Sequence, residues 1–322
     1  MSAKIKIIYE FLQSLWPPGI TRRGKPYHYD GPSMLLFFVV MFLKRIHSFQ
    51  AMSRYAQEHY RCFGWSSPPC RKTLVRRFEA FPTLLYRLLP LVAQAASKLD
   101  QQVFGFRWAF IDKSVFRAKG GLWHRTQRRL GIVPHPSIDP EASWAKSAYH
   151  GWRFGYGLHL VCNGHRFPLA CSVTTAATKE ATQVVPLLVS LVQQLGMLVA
   201  DAGYQTGRLL QQLLRCWNVW VLLPSRWKGK QLTAEQQEYN RLRQTPQAHW
   251  LYQQRKPSIE PAFALIKELF QLAGESQLPY RGIAKVKPYL MITASAVQLM
   301  MYYNFIHHAR LASTYLFLTD FK

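Results

Sequence analysis

The chain has 322 residues, and its 49% hydrophobic content is enough to bury a sizeable core, so it is expected to fold. Against 16 Asp and Glu stand 41 Lys and Arg, a net charge of +25, and such an imbalance repels itself unless a polyanion is the partner; nucleic acid is the leading candidate. A membrane-spanning segment is excluded, because the longest apolar run, Met34 to Leu43, is half the length a bilayer needs and ends in Lys44-Arg45.

Met1 to Trp16 carries basic residues but no sustained apolar stretch with a small-residue cleavage site, so no secretory signal is expected and the protein is placed in the cytoplasm. The five cysteines are scattered without a Cys-x-x-Cys pair, which suits reduced thiols. Residues 1 to 100 read as helical: Leu35, Phe38, Val39, Phe42 and Leu43 recur at helical spacing, as do Leu84, Leu85, Leu88, Leu89 and Val92. Between these runs, a helix from Ser48 toward Tyr60, a break at Gly64 to Pro69 and a basic helix opening at Arg71 suggest a helix-turn-helix-like unit. It would turn Arg71, Lys72, Arg76 and Arg77 toward DNA, although basic helix faces are also common as solvated surfaces.

From Val103 the texture changes to strands. Phe106 to Ile111 is expected to be the first, delivering Asp112 at its end, followed by a long basic loop from Lys113 to Ser147. Gly157 to Cys162 and Phe167 to Val173 flank Asn163-Gly164 as a hairpin. A helix over Thr178 to Leu195 leads into the strand that delivers Asp201, and a helix over Gln205 to Cys216 and a strand over Val219 to Leu223 follow. The last helix of the series carries Glu260. A hairpin-containing start followed by alternating helices and strands is the order of the ribonuclease H-like fold, an α/β mixed sheet flanked by helices, here preceded by an all-α region.

Asp112 and Asp201 are the two acids that directly follow apolar, strand-like runs. A carboxylate there bears a desolvation cost that a divalent cation removes. The bland alternative is that each stops a strand or caps a turn. Glu260 has its own bland alternative, since a carboxylate early in a helix suits the dipole. At 100° per residue it shares one edge of the helix with Lys267, beside the apolar stripe of Ile259, Phe263, Ile266 and Phe270. Oxygen ligands alone indicate magnesium or manganese, and phosphodiester chemistry is served by two such ions.

Residues 30 to 310 resemble the DDE transposases of bacterial insertion sequences, in the branch with a Tyr-Arg-Glu-Lys signature. Phe-Ile-Asp112, Val-Ala-Asp201-Ala-Gly-Tyr and Ile-Glu260-Pro-Ala-Phe-Ala-Leu-Ile-Lys267 carry the resemblance. It implies that Asp112, Asp201 and Glu260 are catalytic and hold two Mg2+ or Mn2+ ions on a ribonuclease H-like core. It also implies strand cleavage and transfer by a 3′ hydroxyl, double-stranded DNA as partner (transposon ends and target), a homo-oligomer on DNA, and a bacterial, nucleoid-associated protein. Residues 1 to 100 would then bind DNA, 101 to 310 catalyse, and 311 to 322 form a tail. The signature is offset by one residue. Tyr252 keeps its spacing to Arg255, whereas Lys256 keeps the arginine's spacing to Glu260; Lys256, followed by Pro257 and expected to be extended, is assigned the phosphate contact, with Tyr252, Arg255 and Lys267 also placed against DNA. A lysine common in the family's second strand is Gly157 here. A nuclease without strand transfer, or a silent DNA-binding derivative, are the competing functions.

Overall fold

A computed structural model describes residues 3–16, 28–147, 151–229 and 231–318. Four helices come first: α1 (Ala3–Leu15), α2 (Gly31–Leu43), α3 (Phe49–His59) and α4 (Arg71–Leu99). Helix α2 starts where the Asp30 carboxylate accepts from Ser33 N at 2.8 Å and Pro32 presets the first turn. It is buried from Pro32 to Phe42, which explains an apolar run that does not alternate with polar residues. Among the described residues no helix is long and apolar enough to cross a membrane.

A short helix α5 (Gln101–Phe104) precedes strand β1 (Trp108–Arg117). Then come α6 (Arg125–Arg129), β2 (Ser143–Ser147), β3 (Gly151–Cys162), β4 (Pro168–Thr175), α7 (Val184–Leu188) and β5 (Met197–Val199). Helix α8 (Gly207–Trp217), β6 (Trp220–Leu222), α9 (Ala234–Leu242), α10 (Pro246–Gln253), α11 (Arg255–Leu269), α12 (Ile283–Ile306) and α13 (Tyr315–Leu318) complete the chain. The sheet has six strands in the order β2-β3-β1-β5-β6, with β4 also paired to β3. β1 runs antiparallel to β3 and parallel to β5, and β5 parallel to β6. β4 covers Tyr156 to Cys162 of β3, and β2 covers Gly151 to Gly155. This is the mixed, helix-flanked sheet expected from the order of elements.

The N-terminal helices are not a detached unit. One hydrophobic core extends from Ile5 to Phe317 and crosses residue 100 without a break. α4 and α12 pack on each other and on β4, and the buried Gln298 amide on α12 donates to Leu89 O of α4 and to Pro168 O, the first residue of β4, at 2.9 and 2.7 Å. The basic segment opening at Arg71 is therefore the first part of a 29-residue helix whose later turns build the core.

Several elements differ from expectation. β1 runs on for five residues beyond Asp112, because Lys113 to Arg117 pair with β3, so the expected loop is shorter and contains β2 and α6. The hairpin turn is wider than two residues: Asn163 Oδ1 accepts from His165 N and Phe167 N, while its amide donates to Val103 O and Gly105 O. Its side chain closes an Asx-type turn in place of a tight Asn-Gly one. The segment from Glu180 to Leu195 is a 3-10 turn at Glu180–Gln183, the short α7 and further turns, with Pro186 inside α7.

Candidate active site

The register of the parallel strands brings the two aspartates together. The β1–β5 ladder ends at Phe110 opposite Val199, so two residues further along each chain Asp112 and Asp201 stand level. β5 has ended there, and Ala200 N is held by Leu222 O. Asp201 opens a 3-10 turn over Ala202–Tyr204, where its Oδ1 accepts from Gly203 N at 2.9 Å. The capping role that the bland alternative assigned to it is real, and the carboxylate stands near enough to Asp112 to act on its charge.

Asp112 has 22% of its side chain exposed. Burial and the Asp201 charge push its carboxyl up to about 6, partly opposed by Arg255. Its Oδ1 accepts from Lys113 N at 2.7 Å and its Oδ2 from Arg255 Nη1 at 2.9 Å. Burial works against the Arg255 charge, and Asp112, Tyr252 and Asp201 more than restore it, so its pKa is raised.

Arg255 is the first residue of α11 and only 9% exposed, whereas Lys256 beside it is exposed. This corrects the expected extended conformation at Lys256: Pro257 lies in the first turn of the helix, where its missing N–H costs nothing, so both cations are helical and lie 100° apart. Arg255, in register with Tyr252, reaches the aspartate. The Tyr252 ring packs on the core with the Arg243 guanidinium 5.5 Å from its centroid.

Glu260 is exposed and makes no hydrogen bond or ion pair among the described residues. It lies on the flank of α11 that also carries Lys256 and Lys267. Lys267 Nζ stands 5.6 Å from the Phe116 ring of β1, with its pKa lowered by burial and by Arg153, so this flank borders the half of β1 that follows Asp112. Among the described residues no three His, Cys, Asp or Glu side chains converge tightly enough to hold a metal ion. The structure thus brings Asp112, Asp201 and Arg255 together and leaves Glu260 on the adjoining flank. At the start of α4, Arg71, Lys72 and Arg76 are exposed and Arg77 is partly buried.

Two residues that sequence reasoning passed over belong to the site. Lys113 donates to Ala176 O and Thr178 O at 3.3 Å each, and forms an ion pair with Glu180 Oε1 at 2.9 Å. Its stem lies across Gly157, where a Cβ would come within 2.9 Å of Lys113 Cδ, so glycine at the family's lysine position makes room for a lysine from the neighbouring strand. The signal was present as a Lys directly after an Asp on a strand; what it lacked was the cross-strand partner.

Residues 108–299 match the family described as the transposase DDE domain, more than half of the chain. The chain belongs to that family. This transposase can also be laid on the structure of a piggyBac transposase synaptic complex with hairpin DNA, at 10% identity and a TM-score of 0.42, covering 100% of this chain and 77% of the other. No curated protein is similar enough to count as a match. Asp112, Asp201 and Glu260 all lie within the matched span.

The donor set fits a hard divalent cation. Two carboxylates that repel each other, one of them held up to about 6, gain from a shared positive charge, and of the two Arg255 is bonded only to Asp112. Oxygen donors without histidine or thiolate suit magnesium or manganese over zinc.

Proposed function

We propose that this transposase cuts double-stranded DNA at the ends of a bacterial insertion sequence and joins the freed 3′ hydroxyl to target DNA. The observation that carries this reading is the level pair Asp112 and Asp201, set by the β1–β5 register and tied to Arg255. Two magnesium or manganese ions, held by Asp112, Asp201 and Glu260, would stabilise charge on the attacking and leaving oxygens of the phosphodiester. Arg255 keeps Asp112 oriented through its Nη1 bond. Lys256 and Lys267, on the flank that carries Glu260, face a backbone laid along α11, and Tyr252 supports Arg255 from the preceding turn. Arg71, Lys72, Arg76 and Arg77 occupy the first two turns of α4, where cations oppose the helix dipole and gain from an anionic partner. On this reading residues 1 to 100 recognise the ends, residues 101 to 310 catalyse, and a homo-oligomer holds two ends.

The test is Asp201→Asn, assayed on labelled element ends with magnesium. The variant is expected to bind the ends normally and yield neither nicked nor joined product, since the change removes a charge at the metal and leaves the basic surfaces intact. Equal loss of binding and cleavage refutes the assignment. Sizing the products of the parent protein separates strand transfer from simple nicking, which would identify a nuclease.

A further inference from the structure

The basic loop between β1 and β2 takes no part in the site described so far, and the fold gathers it into one surface with the start of β3. Half of the large hydrophobic side chains that stand exposed among the described residues lie here: Leu122, Leu130, Ile132, Val133 and Trp152. The three arginines of α6, Arg125, Arg128 and Arg129, are exposed beside them, and among the described residues none of the three pairs with a carboxylate. The acids of the loop are engaged elsewhere: Asp139 accepts from the Tyr156 hydroxyl and Gly282 N at 2.8 and 2.9 Å, and Glu141 accepts from Ile283 N. The surface is thus apolar and basic at once.

Its rings are set against guanidinium groups. The Arg125 guanidinium carbon lies 3.7 Å from the centroid of the Trp152 ring, and that of Arg128 lies 5.4 Å from the centroid of Trp123. Trp123 is fixed in turn, since its Nε1 donates to Ile132 O at 2.8 Å and its carbonyl accepts from Trp144 Nε1 at 2.6 Å. The three arginines, with Ser143, Trp144 and Ala177, line a cleft of about 430 Å3. This cleft adjoins the candidate active site: Ala177 N donates to Ser143 Oγ at 2.7 Å, and the carbonyls of its neighbours Ala176 and Thr178 accept from Lys113, the residue after Asp112.

A concentration of exposed apolar side chains points to a partner, and the charge says of which kind. A second copy would bring the same arginines and the same +25, whereas a nucleic acid brings phosphates. A duplex keeps its bases stacked and offers Trp152 and Leu130 little beyond its backbone. An unpaired strand offers phosphates to the arginines and flat base faces to the rings. We propose that this surface holds an unpaired DNA strand beside the Asp112 and Asp201 pair, with bases stacked on Trp152 and on the Arg125 plane and phosphates on Arg128 and Arg129. The inference rests on the proposed reading that the site cuts DNA.

The probe is fluorescein-labelled oligothymidylate, which has no duplex form of its own, titrated with the full chain in the absence of divalent ions and followed by anisotropy. A mixed-sequence duplex of equal length is the comparison, and thermal melting is the control for folding. Trp152→Ala is expected to weaken oligothymidylate binding about fivefold or more, the loss of one stacked base, and to leave duplex binding within about twofold. Arg125→Lys keeps the charge and removes the planar group, so it is expected to weaken the single strand in the same selective way without changing the salt dependence. Parent-like binding of oligothymidylate by both variants, or equal weakening of single strand and duplex, overturns the proposal. So does sedimentation showing that the parent self-associates through this surface and that Trp152→Ala abolishes the association. If the parent binds duplex but not oligothymidylate, the inference falls alone; if it binds neither, the nucleic-acid reading falls with it. Should Trp152→Ala fail to fold, Arg125→Lys decides the matter by itself.

Discussion

Asp112 should weaken the metal-free fold at the pH where it would work. In the folded chain its carboxyl titrates near 6, against an ordinary value of 3.8, because burial and Asp201 both disfavour the charge. A carboxyl whose pKa is raised on folding contributes stability that is fully present below the unfolded value and is lost as pH rises through the folded one. The window is therefore about pH 4 to 6. At about 1.4 kcal/mol per pH unit, ionised Asp112 costs the fold roughly 2 to 3 kcal/mol above pH 6. Asp112→Asn removes the titration. It keeps the bond from Lys113 N through Oδ1 and loses the acceptor for Arg255 Nη1, whose attraction for the ionised carboxylate is already contained in the raised value. Urea unfolding without divalent ions should show the stability of the variant relative to the parent growing by roughly 2 to 3 kcal/mol between pH 4 and pH 8. Above pH 6, Mg2+ should raise the stability of the parent and leave the variant unmoved. A difference that stays constant from pH 4 to pH 8 would refute the argument, since it would show that the carboxyl titrates alike in both states.

The offset signature is decided by alanine substitutions. Arg255→Ala should destabilise the chain by about 3 kcal/mol, because it leaves the buried Asp112 charge unpaired, while Lys256→Ala should stay within about 0.5 kcal/mol by urea unfolding; equal effects would show that both cations are solvated. Gln298→Leu should cost about 2 kcal/mol by stranding the Leu89 and Pro168 carbonyls, and an unchanged urea midpoint would mean that those carbonyls find other donors. DNA binding should weaken steeply with salt, because each phosphate contact made by this +25 chain releases counterions; a flat plot of log affinity against log salt would contradict nucleic acid as the partner.

Much of this molecule follows from local pattern. The apolar run at Met34 to Leu43 is a buried helix because no polar face interrupts it, and each acid that ends an apolar run stands at the sheet because a strand core must precede it. The mixed sheet follows from the order of strands and helices, since short connections leave few ways to pair them. Asp112, Asp201 and the basic surfaces were legible for the same reason: scarce acids stand out in a chain with 41 Lys and Arg.

Contacts across long stretches of chain were settled only by packing. Whether Arg255 or Lys256 faces Asp112 depends on where α11 begins, and a prolyl residue is accepted in the first turn of a helix as readily as after an extended residue. The continuation of β1 beyond Asp112 depends on pairing with β3, forty residues away, which no local propensity encodes. Glu180 was invisible for the same reason. It sits in a turn without periodicity, and only the β3–β4 hairpin, the Lys113 stem across Gly157 and the bare face of Gly203 carry it to Asp201. A side chain's chemical type can be read from its letter, but its neighbours are set by strand register and by the space that other residues leave empty.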